Sequence, residues 1–93
     1  MKFKWDNKKK ERNERKHGVS FEEAETLFLD PLAFIFDDEW HSKDEEREII
    51  IGYSTQNRLL IVCFTEWNAV VRLIRAREAT RKEQTDYEKN AYF

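Results

Sequence analysis

The chain is poor in residues that cross-link or break a backbone. It has one cysteine, Cys63, one proline, Pro31, and two glycines, Gly18 and Gly52. A single cysteine excludes an internal disulfide and suits a reducing compartment, so a cytoplasmic location is expected. Cys63 lies inside "LLIVCF", the setting of a small buried thiol rather than a nucleophile. So little glycine and proline, beside 14% aromatic residues, excludes fibrous and low-complexity chains and points to a globular one. The longest apolar run, Leu59 to Phe64, is too short to cross a bilayer, and the start "MKFKWDNKKK" lacks the apolar centre of a signal peptide. No membrane partner is therefore expected. The two histidines, His17 and His41, stand in no metal-ligand spacing, and the acidic "DDE" at 37–39 has the composition of solvated carboxylates. Neither a metal nor a cofactor is expected. With 93 residues, one domain over 1–93 is the default.

Charge, in contrast, is abundant and segregated. Residues 7–17 hold six cations and two carboxylates, and residues 58–82 hold the same numbers. Between them, residues 18–57 hold eleven carboxylates and two cations. The net charge of −2 conceals these blocks, so partners respond to the local fields and not to the total.

Local signals order the elements as β-α-α-β-β-β-β-α. "KFKW" alternates as a short strand. Asp6 is placed to cap a helix through "NKKKERNERKH", which Gly18 ends. Ser20 and Glu23 form a capping box before "FEEAETLFL", where Phe21, Ala24, Leu27 and Phe28 make an apolar stripe. Asp30–Pro31 stops that helix. Strands follow at "LAFIF", "REIIIGYS", "RLLIVCFTEW" and "AVVRLIRAR", with an acidic loop "DDEWHSKDEE" after the first and "TQN" as a turn. Thr80 and Glu83 form a second capping box before "RKEQTDYEKNAYF". Consecutive strands joined by short turns predict an antiparallel meander with helices packed on it, an α+β fold.

The first helix has no apolar residue between Asn7 and His17, so it lacks an ordinary core stripe. Lys9, Asn13, Lys16 and His17 nevertheless share one face. Such a basic face suits phosphate, and a histidine at a helix C-terminus is favoured as a cation by the dipole. Lysine stems that cover the sheet while their charges stay in water are the simpler alternative.

Three arginines, Arg72, Arg75 and Arg77, close the last strand. On an ideal strand Arg72 faces away from the other two, and a bulge near Ala76 is needed to gather them. Each has an ordinary alternative as a cross-strand partner of Glu48 or Glu66. Arg81 stands in the first turn of the last helix, where the dipole disfavours a cation unless an anion binds there too. Of the tryptophans, Trp5, Trp40 and Trp67 sit at strand ends or in loops, where they serve as core plugs, partner anchors or RNA-stacking surfaces. Trp40, in the acidic loop, suits a protein partner best.

"FKWDNKKKERNERKHGVSFEEA", "DPLAFIFDDEWHSKDEER" and "IRAREATRKEQTDYE" together resemble the BrnT toxins of bacterial toxin–antitoxin pairs, over Phe3 to Glu88. Two positions depart from the family pattern: Asn7 stands where proline is common, and Arg75 where a small hydroxyl residue is usual. The resemblance implies a RelE-like α+β ribonuclease. It also implies a BrnA-like antitoxin, in an assembly with two copies of each, and operator DNA bound only through that antitoxin.

Metal-independent RNA cleavage needs a base for the 2′-OH, a cation for the phosphorane and an acid for the leaving oxygen. His17 and His41 are the acid and base candidates, since they titrate near working pH. Glu45, Glu66 and Tyr53 stand as substitutes. Arg72 and Arg77 match the family pattern and are the candidate phosphate-stabilising pair, because guanidinium binds two oxygens and stays charged. Lys9, Lys16, Arg75 and Arg81 are the candidate RNA contacts. A non-catalytic module that binds only an antitoxin or nucleic acid is the second expectation.

Overall fold

The computed structural model describes residues 1–39 and 46–90. His41, Trp40 and Glu45 lie outside the described residues. The elements are β1 (Lys2–Lys4), α1 (Asn7–His17), α2 (Phe21–Glu25), a 3-10 turn (Thr26–Leu29), β2 (Phe34–Asp37), β3 (Glu48–Tyr53), β4 (Leu59–Trp67), β5 (Val70–Glu78) and α3 (Arg81–Asn90). This is the α+β order expected from the local signals. The sheet runs β1-β5-β4-β3-β2, so β2 to β5 form the meander. The first strand takes a place that its sequence does not announce: it pairs parallel with β5, Lys4 opposite Arg72.

Strand alternation sends two sets of residues to opposite faces. One face carries Ile50, Leu60, Val62, Phe64, Val71, Leu73 and Ala76, which join Val19, Phe21, Ala24 and Leu27 in the core. Trp5 closes this core edge-on against Phe21, with ring centroids 5.9 Å apart, so it is a core residue. The other face carries α3, whose Tyr87 ring meets Phe34 at 5.9 Å and Tyr53 at 6.0 Å. Tyr87 also donates to the Leu32 carbonyl at 2.9 Å. Among the described residues no helix is long and apolar enough to cross a membrane.

The second helix is shorter than its apolar stripe suggests. It is α-helical only to Glu25 and then tightens into the 3-10 turn. The Thr26 hydroxyl donates to the Glu23 carbonyl at 2.6 Å, so a side chain takes up an acceptor at the point where the winding changes.

Below the 3-10 turn, the Asp30 carboxylate accepts from the Leu32 and Tyr53 amides at 3.0 and 2.8 Å. This draws the loop onto β3 so closely that a Cβ on Gly52 would sit 2.9 Å from that of Ala33. Only glycine fits there.

Candidate active site

The first helix solves its lack of apolar residues with an amide. Asp6 caps it, accepting from Lys8 and Lys9 at 2.7 and 3.2 Å. Gly18, at φ 66°, ends it. Between them Asn13 is buried, 6% exposed, and its side chain donates to the carbonyls of Ala76 at 2.8 Å and Val19 at 2.9 Å. It also accepts from the Ala76 amide at 3.0 Å. Ala76 lies beyond Arg72, where β1 stops pairing with β5. Asn13 therefore replaces a strand, satisfying backbone groups that a bare sheet edge would leave open. A helix docked this way needs no apolar stripe, and its remaining side chains are free to be basic.

A bulge sets the direction of the arginines. Along β4 and β5, Cys63 pairs with Arg75 but Phe64 pairs with Leu73, so Ile74 has no opposite residue. Arg72, Arg75 and Arg77 thus lie opposite Thr65, Cys63 and Ile61, alternate residues of β4. All three share one face of the sheet. This corrects the expectation that Arg72 faces away, and the bulge is at Ile74 rather than near Ala76. Sharing a face still does not bring them together. Arg72 and Arg77 lie opposite Thr65 and Ile61, four residues or about 13 Å apart along β4 at about 3.3 Å per residue, and Arg72 lines a different cavity.

The cleft lies between α1 and this face of β5. One part, about 190 Å³, is lined by Lys9, Arg12, Asn13, Lys16, His17, Ile74 and Arg75. A second part, about 290 Å³, adds Cys63 and Arg77 to Lys16, His17 and Arg75, over a floor of Ile49 and Ile61. His17, Lys16 and Arg75 line both parts. Arg12 was absent from the sequence expectations, although its place three residues after Lys9 and four before Lys16 puts it on the same face. Arg81 is exposed at the start of α3 and does not line the cleft.

The electrostatics differ from the sequence expectation at His17. Burial pushes its pKa down, and the cations of Lys16, Arg77 and Arg75 push the same way. This direction is opposite to the one expected from the helix dipole, and it favours neutral imidazole. Cys63 is buried, with its thiol pKa raised mainly by burial, as suits a packing residue.

Arg77 has a carboxylate partner, but it is neither Glu48 nor Glu66. Its two terminal nitrogens donate to Glu83 at 2.7 and 2.8 Å, a bidentate pair. Glu83 belongs to the capping box of α3: its amide donates to the Thr80 hydroxyl at 3.1 Å, and its carboxylate accepts from the Thr80 amide at 2.9 Å. The anion at this helix start is therefore the chain's own. The Arg77 guanidinium holds the Glu83 carboxyl down at about 2.

Comparison with known proteins gives these features a context. The family described as ribonuclease toxin BrnT of type II toxin–antitoxin systems matches residues 5–83. The crystal structure of the Brucella abortus ribonuclease toxin BrnT aligns with a TM-score of 0.68 at 26% sequence identity, covering 87% of this chain and 99% of that one. No curated protein sequence matches the chain.

Proposed function

The chain belongs to the BrnT family of ribonuclease toxins of type II toxin–antitoxin systems, and from that premise we propose that it cleaves RNA without a metal ion. In this reading cleavage inhibits translation and growth in the cytoplasm, and residues 1–93 act as one toxin domain. A BrnA-like antitoxin neutralises it in an assembly with two copies of each, and operator DNA is reached only through that antitoxin.

One observation carries the reading: a histidine biased toward its neutral form shares a cleft with Lys16 and Arg75. Neutral imidazole is the form that accepts a proton. His17 takes the 2′-OH proton, the 2′-oxygen attacks phosphorus, and the bond to the 5′-oxygen breaks to leave a 2′,3′-cyclic phosphate. Arg75 and Lys16 hold the non-bridging oxygens, where negative charge grows. Arg77, fixed by Glu83, adds positive field at the imidazole. Lys9 and Arg12 suit neighbouring phosphates along α1, and Arg81 adds only long-range attraction. His41, the chain's other histidine, is our candidate donor to the leaving oxygen.

The test is cleavage of cellular RNA by protein freed of antitoxin, in EDTA. We expect cyclic-phosphate ends, and a loss of about 10²–10⁴-fold in rate for His17→Gln. Products ending in 5′-phosphate, or cleavage that EDTA abolishes, would contradict it. The alternative, a module that only binds, draws support from the Arg77–Glu83 pair, which withdraws one cation from phosphate. Normal growth on expression without the antitoxin would favour that alternative.

A further inference from the structure

A cavity of about 380 Å³ opens at the far end of β5, lined by Lys4, Thr65, Trp67, Asn68, Val70 and Arg72. The notable residue is Trp67, which is 80% exposed. It is the last residue of β4 and pairs with Val70, the first of β5. The turn between them is Asn68–Ala69, both at positive φ, 51° and 64°. Two such residues match the twist of a tight hairpin, and alanine adopts that conformation only at a cost. The strands thus stay paired to their ends, and the indole stands on a strand rather than on a loose loop.

The register supplies its neighbours. Lys4, Arg72 and Thr65 lie in one row across the sheet, and Lys2, Val70 and Trp67 lie in the next. Because Arg72 shares a face with Arg75, this end lies on the same face as the His17 cleft. Among the described residues no carboxylate lines the cavity, and Glu66, next to Trp67 in sequence, alternates to the opposite face. An exposed ring flanked by lysine and arginine is the combination that binds single-stranded nucleic acid: bases stack on the ring while cations meet the backbone. Arg72 and Arg75 lie opposite Thr65 and Cys63, two residues or about 7 Å apart along β4, a step that one or two nucleotides span.

We propose that Trp67, with Lys4 and Arg72, forms a subsite that stacks one base of the RNA strand, a nucleotide or two from the scissile phosphate. This rests on the ribonuclease reading and deepens it. It gives Arg72 a task in holding substrate rather than in stabilising the phosphorane.

The test is binding rather than cleavage, so that the two readings fail separately. The probe is a short, labelled, mixed-sequence single-stranded RNA, 2′-O-methylated to prevent cleavage, followed by fluorescence anisotropy. Trp67→Ala should weaken binding about tenfold, in line with about 1–3 kcal/mol per stacked base. Trp67→Phe should restore most of that loss. Lys4→Ala should lower the salt dependence of binding by about one counterion. Unchanged affinity in Trp67→Ala overturns the subsite, as does a loss of antitoxin binding with RNA binding intact. A Trp67-dependent affinity in a protein that leaves unmodified RNA whole would sink the ribonuclease reading and leave the subsite standing.

Discussion

Two glutamates of this chain stand three residues after a capping hydroxyl, Glu23 after Ser20 and Glu83 after Thr80. Two arginines engage them, Arg58 and Arg77. By local sequence the two corners are the same device. Their surroundings make them different ones. Glu23 is 3% exposed, and its carboxylate leaves the helix start to bond the Arg58 guanidinium and the Ser54 hydroxyl, the latter at 2.6 Å. Arg58 also reaches the Gly18 carbonyl at 3.1 Å and so ties the end of α1 to β4. Glu83 stays in its capping box, a third exposed, and steadies an arginine at the edge of the cleft. The first corner is structural. The second couples the start of α3 to the electrostatics around His17. A capping box thus marks where a helix begins, while burial decides what its glutamate then does.

The largest effect should come from breaking the buried corner. Arg58→Ala leaves the Glu23 carboxylate buried without its cation. The expected loss is about 3 kcal/mol, at the low end for a broken buried pair because Arg58 is itself partly exposed. Chemical denaturation measures it.

Asn13→Ala comes next. It removes a fully used buried amide and exposes the Ala76 edge, for about 2 kcal/mol. Amide exchange at Ala76 should rise in step.

The exposed corner should respond less. Thr80→Ala is expected to cost about 1 kcal/mol, as loss of a helix cap. Its glutamate should show in the pH dependence of stability. The folded Glu83 pKa is about 2, below the ordinary 4.5. Its contribution is therefore complete above 4.5 and is lost as pH falls toward 2. Glu83→Gln should flatten the stability curve in that window. An unchanged curve would mean that Arg77 and Glu83 are not paired in solution.

Much of this was legible in sequence. The basic face of α1 could be read from spacing alone, because the helix period places Lys9, Asn13, Lys16 and His17 together wherever the helix docks. The Thr80–Glu83 box could be read for the same reason, since its bonds are local. What could not be read depends on contacts distant in sequence or on a single irregular residue. Nothing around Ile74 announces a bulge, yet that residue decides which face Arg72 takes. The place of β1 beside β5 depends on pairing across nearly seventy residues. The partner of Arg77 escaped because alternation directs attention across the sheet, to Glu48 and Glu66, while the carboxylate lay six residues ahead, past the turn into α3. The pKa of His17 escaped because the dipole is a property of the helix, whereas burial, and then the cations of Arg77 and Arg75, depend on what packs against it.

The central claim is that the cleft around His17 is where RNA is cleaved. The most direct measurement is the pH–rate profile of metal-free cleavage by the wild type and by His17→Gln. The wild type should hold its rate down to a midpoint below the ordinary histidine value of 6.5, because burial and three cations favour neutral imidazole. That acid limb should vanish in His17→Gln, together with most of the rate. A wild-type midpoint at or above 6.5, or a limb that persists at full rate in the variant, would contradict the assignment.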